Sequence, residues 1–175
     1  PLVLRYATGT SAIEREFNRH CIVLLRGQNL TEDDQVRFAE RVGPLAPVLN
    51  RHSGASRQHP GVMFISNIRE NGEPIGALPD GEMFFHSDQC YVETPCAATM
   101  LYAIEIPARG GNTLFANMFA AYDALSDELK ARLAGRKAVH VYDYAGNPTR
   151  RGVVAADAPR FAHPVFRTHP VTGRK

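Results

Sequence analysis

Apolar positions recur along this chain with two different spacings, and the two alternate. In TSAIEREFNRH, residues 10–20, Ile13 and Phe17 stand four apart behind a Thr/Ser start, which predicts a short amphipathic helix. CIVLL follows at once as a continuous apolar run, closed by Arg26-Gly27, and predicts a strand. In LTEDDQVRFAERVGP, Thr31 is placed to cap a helix, with Asp34 three residues on and acids filling the first turn. Val36, Ala39 and Val42 would face a core, and Gly43-Pro44 would stop the helix.

From residue 45 to about 82 the pattern dissolves into Gly, Pro, Ser, Asn and charged residues, with VMFIS (62–66) as a strand between them. A connection this long is uncommon within a domain unless it has a function. CAATMLYAIEI (96–106) predicts a strand, PARGG a turn, and NTLFAN (112–117) another strand. MFAAYDALSDELKARLAG predicts two helical pieces. Ser126 caps the second, Leu129 and Leu133 share a face, and Gly135 ends it. KAVHVY returns as a strand, and the remainder is rich in turns. Helices crowd the first third and one mid-chain pair, while short strands make up the rest. The expectation is an α+β domain with an antiparallel β core, a sandwich or jelly roll.

Composition narrows the function classes. The 175 residues suit one domain, and hydrophobic residues at 44% with charged residues at 22% are ordinary for a globular chain. A net charge of +2 without a basic run argues against a nucleic-acid partner. No apolar run approaches the roughly 18 residues needed to span a bilayer, so no membrane association is expected. PLVLRYATGT lacks the pattern of a secretory leader. Cys21, Cys90 and Cys96 are odd in number and form no Cys-x-x-Cys, which disfavours a disulfide framework or structural zinc. A reducing cytoplasm is the expected compartment.

The candidate chemistry lies in GEMFFHSDQCYVETP, residues 81–95. On an extended backbone His86 and Asp88 would point to one face with Cα atoms about 6.5 Å apart, so imidazole and carboxylate can converge on one ion. His-x-Asp supplies two of the three ligands of the 2-His-1-carboxylate triad of non-haem Fe(II) oxygenases. The motif alone is weak, since chance produces about one in every three chains of this composition. A His and an Asp paired on a strand face is the competing reading.

The context is more specific. The apolar lead-in MFF, the His-x-Asp, the Thr-Pro turn and the run ETPCAATMLYAIEIPARGGNTLFANMFAAYDAL resemble the taurine dioxygenase-like (TauD/TfdA) family of Fe(II)- and 2-oxoglutarate-dependent dioxygenases. HPVFRTHPVTGRK, residues 163–175, resembles a second signature of that family. The resemblance runs from about residue 10 to residue 175. It implies a double-stranded β-helix (jelly-roll) core with flanking helices, in a single oxygenase domain. It also implies iron ligation by His86 and Asp88, and a hydrogen bond from Thr113 to the distal carboxylate of 2-oxoglutarate. A hydroxyl donates there without adding charge.

The implied reaction consumes O2 and 2-oxoglutarate, hydroxylates a small, anionic organic substrate, and releases succinate and CO2. In the family the second iron histidine and the carboxylate-binding arginine lie beyond the HPVxRTHPxTGRK signature, so the resemblance places both after residue 175. His140, His163 and His169 read as structural residues, His20 as a helix-end residue, and His52 and His59 as loop residues. Arg109, Arg167 and Arg174 do not match the family's arginine.

Taurine-specific members carry an asparagine where this chain has Glu82, and LNRHSGASRQHPG lacks their His-x-x-Tyr. These departures point away from taurine and toward alkyl sulfates, phenoxyacetates or other carboxylic and sulfonic acids. Residues 49–82 are the expected substrate loop. Family members often assemble as dimers or tetramers, so a homo-oligomer is within what the resemblance implies. Two other classes stay open: a non-catalytic jelly-roll binding module with His86 and Asp88 as a structural pair, and a hydroxylase of a polymeric substrate.

Overall fold

The computed structural model describes residues 2–3, 10–46, 56, 58–59, 61–76, 85–142 and 156–175. The chain divides into two compact units, one of residues 1–82 with 100–104, the other of 83–99 with 105–175.

In the first unit, strand β1 (Leu2–Val3) pairs in parallel with β2 (Val23–Leu24), Leu2 opposite Val23 and Val3 opposite Leu24. Helix α1 (Thr10–His20) makes the crossover between them and packs on β2. Cys21 ends α1 in the left-handed region (φ 63°), its N–H donating to the Phe17 carbonyl at 2.7 Å. Helix α2 (Glu32–Val42) packs against α1 and starts with the expected capping box. The Thr31 hydroxyl accepts from Asp34 N–H at 3.1 Å, and the Asp34 carboxylate accepts from Thr31 N–H at 3.0 Å. These bonds to Thr31, with the Arg37 guanidinium, lower the Asp34 pKa from 3.8 to about 2. Val36 and Ala39 are half-buried as expected, but Val42, in the last turn, is exposed.

The loop after α2 is fastened to that helix's first turn. The Ser56 hydroxyl donates to Glu32, the His59 ring pairs with Asp33, and the Gln58 amide donates to Asp33 at 3.0 Å. The His59 hydrogen bond holds the Asp33 carboxyl below its usual range. Met63 and Ile65 make isolated bridge pairings in place of the continuous strand expected over 62–66. A hairpin absent from the sequence expectation follows: β3 (Arg69–Glu70) and β4 (Glu73–Pro74) pair antiparallel across Asn71-Gly72. Both turn residues have positive φ, 52° and 84°, which Asn-Gly tolerates and which matches the strand twist. The rest of the expected substrate loop, including His52 and Glu82, lies outside the described residues.

In the second unit, helix α3 (Met118–Asp123) is capped by Asn117, whose side-chain oxygen accepts from Phe119 and Ala120 N–H at 3.1 Å each. Helix α4 (Asp127–Leu133) is capped by Ser126, and Gly135 follows with φ 72°. Strand β5 (Lys137–Val141) pairs antiparallel with β6 (Arg160–Pro164), Lys137 opposite Pro164 and Val141 opposite Arg160. The closing signature folds back on itself, with Gly173 N–H donating to the His169 carbonyl and His169 N–H to the Arg174 carbonyl. It docks on α3 through the Arg174 guanidinium, 4.1 Å from the Phe119 ring centre, and through Phe166 edge-on to Tyr122.

The described residues contain both helices and short strand pairs, of which β3–β4 and β5–β6 are antiparallel and β1–β2 is parallel. Two expected strands are corrected. Residues 96–106 and 112–117 carry no ladder, and Ile104, Ile106, Leu114 and Phe115 are exposed. A strand exists only when a neighbouring backbone takes up its N–H and C=O groups, and none does so here among the described residues. The three two-stranded pairs do not by themselves display a jelly roll.

Ser126→Ala should lower unfolding stability by about 1 kcal/mol in a urea titration, the ordinary cost of losing an N-cap hydroxyl. Asp34 is held below its unfolded pKa, so its contribution is present above 3.8 and is lost as pH falls through about 2. The difference in thermal midpoint between the parent and Asp34→Asn should therefore be open near pH 5 and close on acidification. A difference independent of pH would refute that role.

Candidate metal centre

His86 and Asp88 enter a turn rather than a strand. No ladder forms over 86–88, and the chain bends through 88–91 with Gln89 at φ 51° and Val92 N–H donating to the Gln89 carbonyl at 3.2 Å. The two side chains nevertheless converge, with His86 Nε2 3.3 Å from Asp88 Oδ1. Both are about half exposed, at 49% and 46%, so the pair is open to solutes.

That separation fits shared ligation. Donors about 2.1 Å from one ion, at the right angle of octahedral coordination, lie about 3.0 Å apart. The second carboxylate oxygen is engaged as well, since Asp88 Oδ2 accepts a short hydrogen bond from the Thr99 hydroxyl.

Two titratable neighbours of the pair are shifted away from ionisation. Burial pushes the Cys96 thiol up, and the Asp88 charge adds to the effect. Burial also raises Tyr91, whose ring stacks at 4.7 Å on Tyr142. Both groups stay protonated at neutral pH, so Cys96 offers no thiolate beside the pair.

The turn is held from the distant hairpin. His163 on β6 is 4% exposed, and its Nε2–H donates to the Val92 carbonyl at 2.9 Å. Its ring stands 4.7 Å from Phe161 and 5.7 Å from His140. His163 thus ties the second sequence signature to the turn that follows Asp88. His169 Nδ1 accepts from the backbone N–H of Val171 and Thr172, which occupies it within its own turn. His140 is a half-buried strand residue, His20 pairs with Glu16 at the end of α1, and His59 pairs with Asp33.

Thr113 stands apart from the pair's hydrogen bonds. It follows a turn in which Gly110 and Gly111 are both left-handed (φ 75° and 68°), and a Cβ at Gly111 would come within 3.0 Å of Pro107. The Thr113 side chain is exposed and makes no hydrogen bond among the described residues. Arg109 and Arg167 are exposed, while Arg174 is taken up by Phe119 and lies 4.0 Å from Asp123. Among the described residues no cluster of three His, Cys, Asp or Glu side chains could hold a metal ion. Nor is any helix among them long and apolar enough to cross a membrane.

Sequence reasoning overlooked Thr99, which lay within a presumed strand, and it read His163 as structural without naming its partner Val92. No periodicity reports a contact between residues 11 or 71 apart.

Comparison with known proteins shows the family. The family model of the taurine catabolism dioxygenase TauD, TfdA family matches residues 3–175, and the chain belongs to that family. Pentalenolactone F synthase of Streptomyces avermitilis is 32% identical, the match covering 96% of this chain and 61% of that protein. The alpha-ketoglutarate-dependent 2,4-dichlorophenoxyacetate dioxygenase of Cupriavidus pinatubonensis is 32% identical over 98% of this chain and 65% of its own length. The alpha-ketoglutarate-dependent sulfate ester dioxygenase of Pseudomonas putida is 31% identical over 97% and 56%. The chain therefore spans about three-fifths of the length of the curated relatives it matches.

His163→Phe keeps a ring but removes the donor to Val92. It should cost about 1–2 kcal/mol in urea unfolding, because a carbonyl shielded from water loses its partner. His163→Gln, which keeps an N–H, should recover part of that loss. Equal stability of His163→Phe and the parent would show that the bond carries nothing.

Proposed function

We propose that this protein is an Fe(II)- and 2-oxoglutarate-dependent dioxygenase that hydroxylates a small, anionic organic substrate, a sulfonate, alkyl sulfate or carboxylate, with release of succinate and CO2. The observation that carries the reading is the 3.3 Å approach of His86 Nε2 to Asp88 Oδ1, within a chain that matches its family from residue 3 to 175. The relatives' names support the substrate class, since they include dioxygenases of phenoxypropionate, 2,4-dichlorophenoxyacetate and sulfate esters.

In this proposal His86 and Asp88 hold the iron on one face and leave the remaining positions for the co-substrate, O2 and a further ligand. That ligand is a second histidine from outside the described residues, in keeping with the greater length of the relatives. The Thr113 hydroxyl donates to the distal carboxylate of 2-oxoglutarate, and its exposed position off the Gly110-Gly111 turn suits a contact with a diffusible anion. The chain is part of a single oxygenase domain with a double-stranded β-helix core, the fold its family membership implies. When bound, iron and 2-oxoglutarate supply the oxidising chemistry; the protein supplies geometry and charge.

Anaerobic addition of Fe(II) and 2-oxoglutarate to the full-length protein should produce a weak visible charge-transfer band. His86→Ala and Asp88→Ala should each weaken Fe(II) binding by about ten-fold or more and remove the band. Succinate release should then rise with phenoxyalkanoates, sulfonates or sulfate esters. An intact band in both variants would exclude these residues as ligands.

A further inference from the structure

A carboxylate turns freely about its last side-chain bond, and nothing in a His-x-Asp motif fixes the tilt of its plane relative to the imidazole. In this structure the tilt is held from eleven residues away. The Thr99 hydroxyl donates to Asp88 Oδ2, while Oδ1 is the oxygen 3.3 Å from His86 Nε2. The bond pins the plane of the carboxylate with a neutral donor, which brings no second charge to the site. It also occupies the oxygen that could otherwise close onto the metal as a second donor. A carboxylate bound through both oxygens would take a coordination position that the co-substrate or O2 needs.

We infer that Thr99 is a positioning residue for the metal centre: its hydroxyl holds Asp88 as a one-oxygen ligand directed at the ion shared with His86. The inference rests on the proposed iron ligation by His86 and Asp88. Thr99 itself touches neither substrate nor metal. Its effect runs through Asp88, as outer partners of ligands commonly act on affinity.

The test is an anaerobic Fe(II) titration of the full-length protein, repeated with Co(II) read by its visible absorption, on the parent, Thr99→Val, Thr99→Ser, Asp88→Ala and His86→Ala. Thr99→Val preserves shape and removes the donor. It should weaken metal binding by about ten-fold and alter the Co(II) spectrum, whereas Thr99→Ser should remain within about two-fold of the parent. The thermal midpoint of the metal-free Thr99→Val protein should stay at the parent value. Three results would overturn the inference: parent-like binding by Thr99→Val, failure of Thr99→Ser to restore it, or a loss matched by a fall in the metal-free midpoint. If Asp88→Ala and His86→Ala also bind metal like the parent, the ligand assignment fails and the inference with it. If they lose metal while Thr99→Val does not, only the role of Thr99 falls.

Discussion

The hydrogen bond from the buried His163 ring to the Val92 carbonyl organises the second unit around its candidate centre. It joins residues 71 apart, and it acts where local structure is weakest. The turn after Asp88 has a non-glycine residue at positive φ and is closed locally by the 3.2 Å bond from Val92 N–H to the Gln89 carbonyl. The β5–β6 register places His163 opposite Ala138, with the rings of Phe161 and His140 close by. The imidazole is thus confined before it donates, and a donor already fixed loses little further freedom on bonding. The turn that follows Asp88 is therefore tied to a hairpin formed far along the chain.

Around that anchor the centre is assembled from three ranges of sequence. His86 and Asp88 are neighbours whose convergence is local. Thr99 returns after eleven residues to hold the carboxylate oxygen turned away from the imidazole. Cys96 lies within reach of the Asp88 charge and stays a neutral thiol because it is partly buried. The outcome is one imidazole and one oriented carboxylate on an accessible surface, with the nearby thiol silent. A hard divalent cation with open positions is the ion such a donor set suits.

What could be read directly was short-range. The helices at 10–20 and 32–42 and the pair following Asn117 and Ser126 follow from apolar spacing and from cap hydroxyls and amides that reach N–H groups two or three residues away. The Asn71-Gly72 hairpin was equally legible, since Asn-Gly is a strong turn signal; the surrounding polar composition masked it. The segments 96–106 and 112–117 show the opposite case. Their apolar content suits strands, yet a strand is a property of two segments, and hydropathy names no partner.

By itself the sequence determined the helices, their caps and the glycine turns, and it singled out His86 and Asp88 as the candidate pair. Each depends on interactions that close within a few residues, and the two signatures identified the family. Tertiary structure decided how the Asp88 carboxylate is turned toward the imidazole, through Thr99, and what holds the turn behind it, through His163. It also decided that His86 and Asp88 meet at the entry to a bend rather than along a strand. Those outcomes depend on where the chain returns to itself, and hydrogen bonds across 11 or 71 residues leave no periodic trace in the order of the amino acids.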